Sequence, residues 1–247
     1  MTRISKSLLF AVTLALAGAA VPAAQAEQGD WVLKGGVTMV SPKSGNLNLG
    51  DLGEVPDLGV SISDVSLEVD DGTSFGFTVT YMMTDNWAVD LLAAYPFKHD
   101  INLKATITEL SDGAVPFTDS SKIGETEHLP PTISLQYHFM PEAMFSPYVG
   151  VGLNMTMFSS EKLTSDAQDL FEALGFTNAK LSLDTSTGIA GQIGADFNLS
   201  GGWLLNADIR YIDIGTKATI KGDEGTLPLG TVNIDPFVYS LMVGYRF

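Results

Sequence analysis

With 247 residues, 29 acidic and 13 basic side chains and a formal net charge of −16, the chain offers no clustered Lys and Arg for a phosphate backbone, which excludes nucleic acid as a partner. It has no cysteine, so disulfide frameworks, thiol chemistry and cysteine-ligated metals are excluded as well. The length has room for one domain, and all-β barrels reach this size as a single unit.

The N-terminus reads as an export signal. Arg3 and Lys6 precede an apolar run from Leu8 to Val21, and Ala24-Gln25-Ala26 supplies the small-x-small pattern for cleavage after Ala26. The run is short for a membrane-spanning helix. Removing residues 1–26 takes away Arg3 and Lys6 and no acid, so the formal charge moves from −16 to −18. The remaining chain, 27–247, contains no second long apolar run, which argues against a helical membrane protein.

From Trp31 on, apolar and polar residues alternate with period two, the period of a strand. Trp31–Val40 is the first such segment. Ser74–Met83 follows, with Phe75, Phe77, Val79 and Tyr81 on one face. In Trp87–Asp100 the apolar face is Trp87, Val89, Leu91, Ala93, Tyr95 and Phe97. In Glu125–Phe139 it is Leu129, Ile133, Leu135, Tyr137 and Phe139. Ser146–Glu161, Lys180–Leu199 and Trp203–Lys221 repeat the pattern, and Phe237–Phe247 ends the chain with six apolar residues in alternate positions. Three connections are short: 84–86, 140–145 and 200–202. Four are long: 41–73, 101–124, 162–179 and 222–230.

Eight alternating segments with short turns at one end and long loops at the other predict an all-β fold. It is an eight-stranded antiparallel transmembrane β-barrel with long extracellular loops and a short loop helix. Several segments exceed the roughly 9–11 residues that cross a bilayer, so they are expected to project beyond it. The loop helix is expected after Ser165 as cap, with Gln168 as its capping-box partner and Gly175 as its stop. Packed on the barrel rim or acting as a lid, the helix fits either role.

The polar faces of the strands should point inward. They carry Asp90, Asp196, Asp208, Arg210 and Arg246, with Lys34 as a further member. Two readings stand. A narrow eight-stranded barrel has space only for side chains, so these charges form a paired plug; alternatively they line an aqueous path. Toward the long loops the inward residues become apolar, as at Leu92, Phe158 and Val238, which predicts an apolar outer pocket above a charged inner seal.

Pro96 interrupts a strand pattern, and Pro130 and Pro131 interrupt the neighbouring one. Proline gives no N–H to a ladder, and lipid offers no water to replace the lost bond. The three prolines therefore mark a lateral opening in the wall, or else they lie above the membrane, where water satisfies the backbone. The three histidines, His99, His128 and His138, have no metal-ligand spacing and read as surface residues. No nucleophile, base and orienting partner occur in a recognisable pattern, so neither a catalytic site nor a metal or cofactor is expected.

The stretches AAYPFKHDI, LPPTISLQYHF, PYVGVGLNMTMF, GIAGQIGADFNL, WLLNADIRYIDI and IDPFVYSLMVGYRF, in this order, resemble the OmpW family of Gram-negative outer-membrane proteins. The resemblance implies residence in the cell outer membrane among its lipid and lipopolysaccharide, and a narrow, largely hydrophobic channel. It implies passive uptake of small hydrophobic molecules, with exit sideways at the Pro96 position. The end of the chain, with Tyr245 and Phe247, is similar to the aromatic signal by which the barrel-assembly machinery recognises its clients. The alternative is a structural or surface-receptor barrel without transport, an adhesin or phage receptor acting through its loops.

Overall fold

The computed structural model describes residues 27–43, 47–50, 53–55, 60–110, 117–173 and 175–247; the expected signal segment, 1–26, lies outside them. Along the chain run β1 (Trp31–Ser41), β2 (Leu47–Gly50), β3 (Gly53–Val55), β4 (Val60–Val69), β5 (Gly72–Met82), β6 (Trp87–Ala94), β7 (Phe97–Glu109) and β8 (Phe117–Leu129). Then come β9 (Thr132–His138), β10 (Phe145–Leu163), α1 (Ser165–Ala173), β11 (Lys180–Leu183), β12 (Ser186–Asn198), β13 (Trp203–Ile212), β14 (Gly215–Gly222), β15 (Gly225–Asn233) and β16 (Phe237–Arg246).

Eight of these strands close a barrel. Its order is β12-β13-β16-β1-β5-β6-β9-β10, and β10 returns to β12. Closure of the two chain ends is continuous, from Val32 opposite Arg246 to Ser41 opposite Phe237. With every strand paired on both sides, the wall leaves no sheet edge for lipid to face. Outward side chains on this level are apolar. They are bounded at the short-turn end by aromatic pairs: Trp31 with Tyr81 at 4.8 Å between ring centroids, Trp87 with Tyr137 at 5.0 Å, and Trp203 with Tyr245 at 5.2 Å. Near the other boundary lie Tyr95, Tyr211, Phe237 and Tyr239, the last three in ring contact. Amphipathic rings at both levels mark the two faces of the bilayer.

Beyond the outer boundary the wall continues, because the long connections are themselves built largely of strands. The segment 41–73 contains β2, β3 and β4, and β4 pairs with β7. The segment 101–124 is largely the β7–β8 hairpin. The stretch 222–230 is a tight turn followed by β15, and β11, β14 and β15 form a separate three-stranded sheet. Lys180–Leu183 thus leaves the sixth barrel strand and pairs with β14 instead. These extensions are hard to see in the sequence because their polarity is inverted. In water the apolar face turns inward and the charged face outward. In β14, Thr216, Ala218 and Ile220 are buried, while Lys217 and Lys221 face solvent.

The helix forms as expected, but Thr164 caps it rather than Ser165. The amide of Ala167 donates to Thr164 Oγ1 at 3.3 Å, placing Ala167 where a capping-box Gln or Glu would have to sit. Gly175, at φ +89°, ends it.

Close approach of β1 and β16 depends on one residue without a side chain. A Cβ at Gly36 would lie 2.1 Å from the carbonyl oxygen of Leu241, a backbone atom that cannot swing aside. Gly36→Ala is expected to cost about 1–3 kcal/mol through forced backbone displacement. Reversible urea unfolding from micelles measures it; an unchanged midpoint would show that the seam tolerates a side chain.

Candidate functional site

The structure places all five inward charges inside the barrel, none more than 8% exposed. Asp90 on β6 and Arg210 on β13 approach to 3.3 Å across the lumen, and Arg210 Nε lies 3.6 Å from Asp208. Asp90 also accepts a hydrogen bond from Thr80 at 2.6 Å, and Asp208 accepts one from Tyr148 at 2.9 Å. Asp196 faces Lys34 at 3.7 Å and accepts from Asn206 at 2.7 Å. Arg246 lies lower, 3.8 Å from Asp30, and donates to Asn198 at 3.1 Å. The charges thus pair with one another and with neutral side chains around them. A buried ion is tolerated only with such partners, because its desolvation costs several kcal/mol.

Above this polar layer the lumen becomes apolar. Val40, Phe97, Ala190, Ile212 and Val238 are buried together, with Ala94 and Phe158 packed against them. The same cluster extends through Ala218, Val232 and Ile234 into a cavity between the extended strands. The cavity has a free volume of about 50 Å³, and Phe171 of α1 is part of its lining.

The three prolines meet beside the apolar layer. Pairing of β6 with β9 ends at Leu92 opposite Thr132, and pairing of β7 with β8 begins at Phe97 opposite His128. Between these points neither Ala93–Pro96 nor Leu129–Pro131 has a ladder partner across the seam. Both segments are held from behind: the amide of Tyr95 donates to Phe75, and Pro131 accepts from the amide of Met155. Tyr95, 74% exposed, stands at the seam's outer face.

The two sides of the break differ in length. Four residues separate Leu92 from Phe97, whereas three separate His128 from Thr132. Pro96 is the extra one, and it shifts the alternation of its strand as a bulge does. Below it Ala88, Asp90 and Leu92 point inward; above it Phe97, His99 and Ile101 do. This corrects the placement of Phe97 on the outer face with Trp87 and Tyr95. Phe97 is 1% exposed.

The same shift explains why His99 is not a surface residue, while His128 and His138 lie on the inward face of their own strands. His99, His128 and His138 are all buried. His138 bonds Gln136 near the short-turn end. His99 and His128 line the cavity with ring centroids 4.7 Å apart, and His128 stacks on Phe97 at 5.4 Å. Sequence reasoning missed His99 because it ran the alternation straight through Pro96, and it read His128 as a surface residue although the alternation of its own strand already turned it inward. Counting a bulge residue at the proline would have turned His99 inward.

The break lies at the outer boundary of the lipid. Immediately above it the outward residues are Lys98 and Glu127, ion-paired at 3.1 Å, and the Lys98 ammonium holds the Glu127 carboxyl below its ordinary value. Charges on the outer face place this level in water, so His99 and His128 belong to the part beyond the membrane. Burial lowers the titration of both rings, that of His128 from 6.5 to about 3, with the neighbouring His99 adding to it.

A closed, lipid-facing β-barrel with a charge-filled lower lumen, an apolar cavity above it and a short unpaired seam at its prolines is an outer-membrane barrel protein of the small eight-stranded class. The OmpW family model matches residues 27–247, and the chain belongs to that family. It is 36% identical to outer membrane protein W of Vibrio cholerae over 242 residues, covering 96% of each chain, and 35% identical to outer membrane protein W of Escherichia coli over 239 residues, again 96% of each. Among solved structures, the crystal structure of the outer membrane protein OprG from Pseudomonas aeruginosa superposes with a TM-score of 0.69 at 31% identity, over 90% of this chain and 98% of that one. The protein resides in the cell outer membrane, amid its lipid and lipopolysaccharide.

The histidine pair gives the extracellular part a pH dependence of definite sign. A ring whose folded value is depressed favours the folded state above its ordinary value and loses that advantage as the pH falls toward the folded one. The closed cavity is therefore expected to loosen between about pH 6.5 and pH 3, read as faster hydrogen exchange of β7 and β8 after correction for intrinsic rates. His128→Phe should flatten much of that slope; a slope unchanged in the variant would place its origin elsewhere.

Proposed function

We propose that the protein is an outer-membrane channel for the passive uptake of small hydrophobic molecules, which enter the outer cavity and leave sideways into the membrane between Pro96 on one strand and Pro130 and Pro131 on the next. The observation that carries this reading is the coincidence of level. The seam without ladder bonds lies beside the apolar layer that continues the cavity, and directly above the paired charges. A hydrophobic solute descending from the cavity meets a polar layer with only about 10 Å³ of free space, lined by Lys34, Asp90, Asp208 and Arg210 among others. Crossing it would require breaking buried ion pairs, at several kcal/mol each. Moving sideways requires only parting side chains at a seam whose backbone is already unpaired. Asp90, Asp196, Asp208, Arg210 and Arg246 then act as a floor that diverts the solute rather than as its path.

Assembly depends on the other end of the chain. Phe247 closes the barrel by exchanging backbone bonds with Trp31 and stacks edge-on against Tyr245 at 4.8 Å. In the proposed role, Tyr245 and Phe247 also present the terminal strand to the barrel-assembly machinery. Phe247→Ala is expected to lower the folded, heat-modifiable fraction in cell envelopes; full assembly of the variant would remove that role.

Flux tests the lateral route. Pro96→Thr restores an N–H at the break, so entry of a fluorescent hydrophobic probe into protein-containing liposomes should slow several-fold while the barrel remains folded. Unchanged flux in the folded variant would count against sideways exit.

A further inference from the structure

Above the outer boundary the lysines fall into two sets that differ in how they are neutralised. On β7, β8 and the top of β10, each has a carboxylate. Lys98 pairs with Glu127 at 3.1 Å, Lys104 with Glu68, Lys122 with Asp100 at 2.7 Å, and Lys162 with Glu125 at 3.8 Å. The sheet of β11, β14 and β15 is different. Its outer face carries Lys180, Lys217 and Lys221, all exposed. Among the described residues none of the three makes an ion pair, in a chain with 29 acidic side chains. Lys180 and Lys221 are direct cross-strand partners, and like charges so placed repel. Lys221 donates to a neutral group, Ser182 Oγ, at 2.9 Å. Thr226 opposite Lys221 and Thr231 opposite Lys217 are uncharged. The next carboxylates along the chain, Asp223 and Glu224, accept instead from Asn178 and Thr177. Asp184 borders Lys217, its amide donating to the Lys217 carbonyl at 3.1 Å, but the two side chains are not ion-paired.

We propose that this face is a docking surface for lipopolysaccharide, on which Lys180, Lys217 and Lys221 take the phosphate groups of its lipid anchor and inner core. Position and charge argue for that occupant. β14 carries β13 upward from Tyr211, one of the rings at the outer lipid boundary. Lys217 follows Tyr211 by six residues and Lys221 by ten. At about 3.3 Å per residue they stand at most about 20 and 33 Å above it. The layer around the wall at that height is the phosphorylated saccharide of lipopolysaccharide. Lysine serves phosphate as a point charge, and each one beside an anionic lipid surface strengthens attachment roughly fivefold. The opposite half of the wall, whose lysines are already paired, can offer its carboxylates to the same layer only through bridging divalent cations. This face needs none. It lies outside the barrel and is independent of the uptake route.

Two triple variants of equal charge test this. One carries Lys180→Gln, Lys217→Gln and Lys221→Gln; the other carries Lys98→Gln, Lys122→Gln and Lys162→Gln, at the paired lysines. Binding of the full barrel in neutral micelles to rough lipopolysaccharide is measured at low salt with EDTA present, which removes bridging cations. Heat-modifiable migration confirms that each variant is folded. The first variant is expected to bind at least about tenfold more weakly than the unaltered protein. The second should change by less than about threefold. Dephosphorylated lipopolysaccharide should bind the unaltered protein as weakly as the phosphorylated form binds the first variant, and added salt should erase the difference. Equal losses in the two variants overturn the assignment in favour of net charge alone. Undiminished binding by the first variant overturns it, as does equal binding of the dephosphorylated form or no binding by the unaltered protein. Tighter binding of heparin than of lipopolysaccharide would give the face to a sulfated glycan instead. The comparison of phosphorylated with dephosphorylated lipopolysaccharide needs no variant, so it stands even if the substitutions prevent folding.

Discussion

A peptide N–H or C=O in hydrocarbon has no water to turn to, so a strand that crosses a bilayer must be paired on both sides. That constraint fixes most of this molecule. It forces the sheet to close and sets β16 against β1. It also makes any interruption of the ladder conspicuous. The seam between Ala93–Pro96 and Leu129–Pro131 is such an interruption, and it sits where the outward side chains change from apolar to charged, so water is close at hand to solvate what the ladder leaves. The break therefore occurs where its energetic penalty is smallest and where an opening would still reach the outer leaflet.

The same boundary divides the barrel interior. Below it, lipid outside forces polar groups inward, and those groups survive only by pairing, as Asp90, Arg210 and Asp208 do. Above it, water outside draws the charges outward and leaves the apolar residues to meet across the lumen. The floor and the cavity are thus two results of one requirement, that each face match its solvent. No separate device is needed to place an apolar chamber over a polar seal.

This division also governs what the sequence disclosed. The eight lipid-crossing strands, the short turns and the terminal closing strand were legible because apolar-outward alternation is a strong pattern in an acidic chain. The strands beyond the membrane were not. The run VSISDVSLEV of β4 alternates too, with one slip at Asp64 where the register shifts, yet its charges read as a solvated loop, because outside the lipid the polar face is the outer one. The inward charges and the three prolines were legible as residues, and their meeting at one level followed from strand pairing. His99 was not legible, since a period of two carried past Pro96 assigns it to the wrong side, whereas His128 and His138 were already on the inward side of their own alternation. The cap of α1 was missed by one residue, as capping by the neighbouring Thr164 and Ser165 differs only in geometry.

The unequal count across the seam has an implication for descent. With Pro96 absent, Leu92, Ala94 and Phe97 would fall on one face in unbroken alternation, and both sides of the seam would hold three residues. Every side chain below would still meet lipid or floor, and every one above would still meet cavity or water. A seam of equal count and one of unequal count are therefore neighbours in sequence space, one codon gained or lost apart. The count of residues across this seam is a trait that such barrels can gain and lose while the remainder of the fold is inherited intact.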